Sequence, residues 1–344
     1  MRETSWGNAA SPVMSLDTIG QAVRGILAEF PLVPPPRFLD LLKKEWSVVP
    51  TVDLSAATIR EEDMNRLYEL RAKLLDWTVE TGFLGFFDKN PGRRYIYTRR
   101  LEILQEMLPE LAGIRVLEVG CAAGIVAALL APQCQEYVGV DVTETAIRFA
   151  RQLHRELNIF NSRFVVGDGQ QLPFPDRSFD AIVTTETFEH FLDPGKALAE
   201  FHRVLKPEGI LIMTTTTAVT LSDGVVRLIR VFKSDLYVDT EEQFDKKTYL
   251  AAQERGLPIQ PKIFRRVHRR FGYGNLVRLF QRQGFVMQDA KGAVFAFPPI
   301  YLGVYQFLPK AFLPMVRWGE ELLNELGIFK RFGSVTTGFR LQRR

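Results

Sequence analysis

The segment Val116-Leu117-Glu118-Val119-Gly120-Cys121-Ala122-Ala123-Gly124-Ile125 constrains this chain more than any other. Apolar residues with strand preferences, Ile114 to Val119, run into small residues that permit a tight turn. Ile125 to Ala131 then reads as a helix, and Tyr137 to Val140 as a second strand closed by Asp141. A strand, a turn this small and a helix present backbone N–H groups against which a ligand can lie directly. Asp141 follows Gly120 by 21 residues, the spacing at which a βαβ unit sets a carboxylate on a ribose diol. The unit predicts an α/β fold with a parallel sheet and a nucleoside-bearing ligand.

A dinucleotide site usually carries G-x-G-x-x-G, whose second glycine makes room for a pyrophosphate. Here the pattern is Glu118-x-Gly120-x-Ala122-x-Gly124, with an acid at the strand's end. A carboxylate there repels a pyrophosphate and suits the ammonium group of an amino acid. The pattern resembles motif I of the class I S-adenosylmethionine methyltransferases, D/E-x-G-x-G-x-G. Ala122 replaces the middle glycine, at a cost of one methyl group of clearance.

The elements that follow keep the same order. Thr143 is placed to cap a helix that begins at Glu144. The strand Ser162 to Val166 ends in Gly167-Asp168-Gly169-Gln170, where an acid can accept an adenine amino group. Leu172 to Asp180 leads into the strand Ala181 to Thr184, and Leu205-Lys206-Pro207-Glu208-Gly209 turns into the strand Ile210 to Thr215. Gly272 to Phe280 reads as a last helix, with Gly284-Phe285 before a sixth strand, and Ser334 to Leu341 fits a closing antiparallel strand on the edge side. This order resembles the UbiE/UbiG-like (Methyltransf_11-type) branch of small-molecule methyltransferases, closely from Arg100 to Thr217 and more loosely from Phe271 to Phe285. The resemblance implies a Rossmann-like class I methyltransferase fold: a seven-stranded, mostly parallel sheet with its last strand antiparallel, carrying a helical N-terminal extension and cap insertions. The expected divisions are a helical extension at 1–105, the cofactor-binding core at 106–217, an inserted cap at 218–270, and core completion at 271–344 with an apolar insertion at 292–332. The best helices of the extension are Glu61 to Thr78 and Tyr97 to Leu111.

The resemblance also implies roles for single residues. Gly120, Cys121, Ala122 and Gly124 would hold the methionine part and ribose of S-adenosylmethionine, and Glu118 would orient its amino acid group. Asp141 and Val142 would meet the ribose, Asp168 and Gly169 the adenine, and Thr185 would border the same site. Arg100, 20 residues before Gly120, matches an arginine that meets the cofactor's carboxylate in quinone O-methyltransferases; a solvated helical arginine is the other reading.

After the fourth strand the chain reads Thr185-Glu186-Thr187-Phe188-Glu189-His190-Phe191. The Asn/Asp-Pro-Pro-Tyr/Phe signature of enzymes that alkylate nucleobase amines is missing. Glu186-x-x-Glu189-His190 resembles the E-x-x-E-H of quinone O-methyltransferases, where these side chains are associated with a divalent ion. Two carboxylates and an imidazole at i, i+3 and i+4 converge on one side of a helical turn, so a magnesium site of Glu186, Glu189 and His190 is one reading. The other makes His190 a general base or substrate-orienting group, with Glu189 beside it. His268, in Val267-His268-Arg269-Arg270-Phe271, resembles an H-x-R-x-F that lines the family's substrate mouth. His154 and His202 read as structural.

Composition bounds the partners. A formal charge of +4 over 344 residues argues against a dedicated nucleic-acid binder. Lys262, Arg265, Arg266, Arg269 and Arg270 crowd one segment, and Arg93, Arg94, Arg99 and Arg100 another; solvated faces are the default, a phosphate-bearing substrate or an anionic membrane the alternative. Two cysteines, Cys121 and Cys134, provide no disulfide framework, and no signal-peptide pattern opens the chain, so the expected location is cytoplasmic. The apolar stretch from Gly292 to Val316 is broken by Pro298, Pro299, Pro309 and Pro314, which excludes a membrane-spanning helix there. It fits a core cap, a lid over a lipophilic substrate, or a peripheral membrane contact. The expected acceptor is a small molecule methylated at oxygen, lipophilic, aromatic or lipid-linked. A glycan or nucleotide-sugar acceptor and a non-catalytic cofactor-binding role are the rivals. No feature sets an oligomeric state.

Overall fold

The computed structural model describes residues 15–29, 65, 68, 91–217, 271–293, 310–327, 334 and 336–344. Among these residues the centre is a seven-stranded sheet. Its strands are β1 (Arg115–Val119), β2 (Glu136–Asp141), β3 (Ser162–Val166), β4 (Phe179–Thr185), β5 (Leu205–Thr215), β6 (Phe285–Ala293) and β7 (Thr336–Arg343). The order is β3-β2-β1-β4-β5-β7-β6, with β7 antiparallel to both neighbours and the other pairs parallel. This is the Rossmann-like class I arrangement that the motif order implies.

Helices cover both faces, which is why the strands are apolar at consecutive positions rather than alternate ones. Val116 and Tyr137 face α1 (Leu16–Glu29), α2 (Pro91–Met107), α3 (Ile125–Leu130) and α4 (Glu144–Glu156). Leu117, Val119, Val138 and Val140 face α5 (Pro194–Val204) and α6 (Tyr273–Arg282). Burying one such Leu or Phe side chain contributes about 1.5–3 kcal/mol. A further helix, α7 (Leu313–Glu325), lies against α2 through side-chain contacts.

Several expectations shift. The helix expected at Tyr97 to Leu111 runs from Pro91 to Met107. Proline suits a first helical turn, and Pro109 bars its continuation. The closing strand is not at the edge: β7 lies between β5 and β6, its residues Thr336 to Phe339 are buried, and β6 forms the border. The small residues in its pattern serve close packing instead. A Cβ at Gly338 would fall 2.3 Å from Ile103 Cγ2 of α2. Residues 205–209 are already strand: Leu205 pairs with Phe179, the chain passes Glu208 at φ +61°, and pairing resumes at Ile210 with Ala181. Gly292 and Ala293, expected in an insertion, complete β6 by pairing with Thr337 and Thr336. Thr143 occupies the cap position of α4 but makes no side-chain cap.

Of the expected helix Glu61 to Thr78, only Asn65 and Tyr68 are described, and both are helical. Residues 218–270, with His268 and the basic cluster, and residues 294–309 lie outside the described residues. No described helix is long and apolar enough to cross a membrane.

Candidate functional site

The strand order reverses between β1 and β4, so the loops leaving their C-terminal ends diverge and open a crevice. A cavity of about 350 Å³ lies there, walled by the β1–α3 loop, the ends of β2, β3 and β4, and α2.

Its floor is built from backbone. Gly120 and Gly124 take φ of +76° and +77°, a region that only glycine enters without strain. A Cβ on Gly120 would lie 2.2 Å from Thr187 Oγ1. The Val140 carbonyl accepts from Gly120 N–H at 2.8 Å and Cys121 N–H at 3.1 Å, stitching the loop to β2. Ala122 is exposed at φ +42°, so its departure from glycine costs backbone strain more than clearance. Asp141, at the end of β2, accepts from Ala122 N–H through Oδ2 and from Thr143 N–H through Oδ1, both at 2.9 Å. The carboxylate is thereby fixed at the cavity wall.

Behind the floor, His154 of α4 is 3% exposed. Its Nε2 lies 3.0 Å from Gly124 O, and its Nδ1 2.7 Å from Ser162 Oγ. A carbonyl only accepts, so Nε2 carries the hydrogen and Nδ1 accepts from the serine. Burial pushes this imidazole down to about 4, which keeps it neutral. The structural role expected of His154 thus includes bracing the glycine turn.

Glu118 sits deeper than its motif suggests. It is 1% exposed and accepts from Tyr137 Oη at 3.1 Å. Burial raises its carboxyl well above the usual range despite that hydrogen bond, and the charge of Asp141 adds to the rise. The buried Cys121 thiol is likewise pushed up, first by burial and then by Asp141 and Glu118.

Val142 borders the cavity beside Asp141. Asp168 ends the β3 side, where Oδ1 accepts from Gln170 N–H at 2.8 Å and Oδ2 from Asn65 Nδ2 at 2.8 Å. Gly169 is closed in: a Cβ there would lie 2.7 Å from Phe191 Cζ and from Val119 Cγ1. Thr185 also lines the cavity, and its carbonyl accepts from Thr187 Oγ1 at 3.1 Å.

Adjacent arginines on α2 diverge because a helix turns about 100° per residue. Arg99 points away from the cavity and is 2% exposed, bridging Glu320 at 3.0 Å, Glu102 at 3.1 Å and Glu106 at 3.3 Å. Arg100 points into the cavity. Its NH2 lies 3.5 Å from Glu186 Oε2, its Nε donates to Thr336 Oγ1 at 3.3 Å, and its guanidinium carbon stands 5.2 Å from the Tyr97 ring centre.

The metal triad, one of the two readings of this segment, does not form among the described residues. Convergence of Glu186, Glu189 and His190 requires a continuous helical turn, but Glu186 sits at φ +48° and only Phe188–His190 form a short 3-10 turn. Glu189 faces inward, 1% exposed, accepting from Thr215 Oγ1 at 2.8 Å. Burial, followed by the charge of Glu186, pushes it up to about 8. His190 instead borders the cavity, edge-on to the Tyr68 ring with centroids 5.8 Å apart. Among the described residues no group of three or more His, Cys, Asp or Glu side chains is arranged to hold an ion.

Reading the sequence missed Asn65, Tyr68, Tyr97, Gln170, Thr187 and Thr215. Two of these carried a visible signal. Thr184-Thr185-Glu186-Thr187 and Thr214-Thr215-Thr216-Thr217 place hydroxyls where β4 and β5 end, the edge of the sheet from which such crevices recruit their groups.

Residues 117–213, from β1 to β5, match the family model described as "Methyltransferase domain". The chain is 40% identical over 99 residues to an uncharacterized methyltransferase, YcgJ, of Bacillus subtilis, covering 29% of this chain and 39% of that protein. It is 31% identical over 150 residues to a probable S-adenosylmethionine-dependent methyltransferase of Mycolicibacterium smegmatis, covering 44% and 55%. A fatty-acid O-methyltransferase of the same organism is 40% identical over 107 residues, covering 30% and 38%. The matched regions span only 38% to 55% of these relatives' lengths.

Proposed function

We propose that this chain, whose residues 117–213 form a methyltransferase domain, transfers a methyl group from S-adenosylmethionine to a hydroxyl oxygen of a small lipophilic, aromatic or lipid-linked acceptor. Asp141 carries the reading. Its carboxylate is clamped by the amides of Ala122 and Thr143 beside the glycine turn, so it accepts ribose hydroxyls without reorganising. The bare α-carbon of Gly120 lets Thr187 close against the turn, Asp168 lines the same cavity and would meet an adenine amino group, and Arg100 would offer its guanidinium to a carboxylate.

When bound, the cofactor supplies a methyl group already activated by a sulfonium. The protein's own share is to hold, align and exclude water, and alignment alone contributes about 7–11 kcal/mol in favourable cases. His190, at the cavity wall, takes the proton that the acceptor hydroxyl loses onto a ring nitrogen. Glu189, anchored on Thr215, holds the short turn that carries His190. Tyr68, Leu101, Val126, Phe191 and Leu192 make much of the wall apolar, which supports a lipophilic acceptor, as does the fatty-acid O-methyltransferase among the relatives.

The test is incubation with methyl-labelled S-adenosylmethionine and a lipid extract. Wild type should place label in the organic phase. Asp141→Asn should lose cofactor binding and labelling together, whereas His190→Ala should keep binding and lose labelling. Label confined to water-soluble products would refute the lipophilic acceptor, and binding without transfer to any fraction would refute catalysis.

A further inference from the structure

Glu186 is the least settled residue of the cavity. It is a non-glycine residue at φ +48°, a conformation retained at functional sites when surrounding structure enforces it. Its Oε1 is buried and has no hydrogen-bond partner. Its Oε2 meets Arg100 only at 3.5 Å, well beyond the 2.7–2.9 Å of a tight charge-assisted contact. The arginine's hydrogen bond to Thr336 is also long at 3.3 Å. Both groups line the cavity, and Arg100 is the only Lys or Arg among the described wall residues.

A loosely matched cation and anion, side by side in a cavity, complement a molecule that carries one anion and one cation on a single carbon. We propose that Glu186 completes a clamp for an amino acid zwitterion, taking the α-ammonium of the cofactor's methionine end while Arg100 meets the α-carboxylate as in the reading above. The assignment rests on the S-adenosylmethionine reading above and moves the ammonium partner away from Glu118. Glu118 also borders the cavity, but it is 1% exposed and its Oε2 is taken by Tyr137 Oη, so it presents little carboxylate surface to a ligand. The other acids of the wall are engaged elsewhere: Asp141 by two backbone amides, Asp168 by Gln170 and Asn65. Among the described acids of the wall, Glu186 is the one with a carboxylate oxygen that has no hydrogen-bond partner. Before the ligand arrives the two clamp residues restrain each other, and the ligand exchanges one long ion pair for two short ones.

Calorimetry on the full chain tests this with S-adenosylhomocysteine, its deaminated and decarboxylated analogues, and 5′-methylthioadenosine, which keeps the nucleoside and lacks the amino acid. Glu186→Gln should weaken S-adenosylhomocysteine roughly 10- to 100-fold and leave 5′-methylthioadenosine unchanged, which also certifies the fold of the variant. The deaminated analogue should be indifferent to Glu186→Gln, and the decarboxylated one to Arg100→Gln. Equal weakening of all four ligands by Glu186→Gln, or no weakening of S-adenosylhomocysteine, overturns the clamp while the cofactor site stands. Failure of wild type to bind any of the four overturns the cofactor reading, and the clamp with it.

Discussion

The floor and the rim of the cavity are built on different principles. The floor, from Gly120 to Gly124 with Asp141, is held by contacts from backbone groups: Val140 O receives two amides, and Asp141 two more. The rim is held by side chains that meet across great sequence separations. Asn65 reaches Asp168 across 103 residues and Arg100 reaches Thr336 across 236. A floor made of backbone stays fixed through changes of side chain, which suits a constant cofactor. A rim made of side chains can be changed residue by residue, so the outer contacts of the cavity answer to single side-chain substitutions where the floor's backbone contacts do not.

The sharpest contrast lies between adjacent residues of α2. Arg99→Met should leave the buried Glu320 without its guanidinium partner, costing about 3–5 kcal/mol, because one partner of a buried pair is removed. Cofactor affinity should hold at temperatures where the variant is folded. Arg100→Gln should do the reverse, weakening affinity with little loss of thermal stability. Chemical unfolding beside calorimetry distinguishes them, and a similar profile for both variants would erase the contrast.

On the floor, Gly120→Ala combines a forbidden backbone with a clash against Thr187. The expected loss is about 3 kcal/mol, summing left-handed strain and overpacking, together with loss of cofactor binding. Adding Thr187→Gly should return the overpacking share and leave the strain. Full recovery in the double variant would mean that φ at this position is not a constraint.

His154 links floor and core, and its signature is pH. Its ring is neutral when folded, down at about 4, against an unfolded value of 6.5. Its stabilisation is therefore complete above about 6.5 and is lost as pH falls toward 4, about 3 kcal/mol in all. Glu189 acts in the opposite sense, because its raised carboxyl favours the fold at low pH and loses that contribution as pH rises toward 8. Subtracting the stability profile of His154→Gln from that of wild type removes the shared Glu189 contribution. A flat difference between pH 4 and 6.5 would show that the imidazole titrates normally.

The same division explains what could be read in advance. β1, the glycine turn, β2 and Asp141 were legible because each group stands at a fixed short offset from a strand end. Glu186-x-x-Glu189-His190 misled because spacing implies convergence only on a helix, and the left-handed Glu186 breaks that premise. Arg100 was identified by its offset from Gly120, yet its partners Glu186 and Thr336 depend on how β4 and β7 meet α2. Gly338 looked like an edge-strand residue, because the close approach of Ile103 exists only once helix and sheet have packed.

The smallest effect tests the floor most finely. Ala122 carries a methyl group at φ +42° and is exposed, so Ala122→Gly relieves strain of roughly 1–2 kcal/mol and loses about 0.4–1 kcal/mol to the greater freedom of the unfolded chain. The net expectation is a gain of about 0.5 kcal/mol, read as a higher denaturant midpoint with an unchanged slope. Affinity for S-adenosylhomocysteine should hold or tighten slightly, since Ala122 N–H still reaches Asp141 Oδ2. A destabilisation above about 1 kcal/mol would mean that the methyl packs against something, and that the floor depends on its side chains as the rim does.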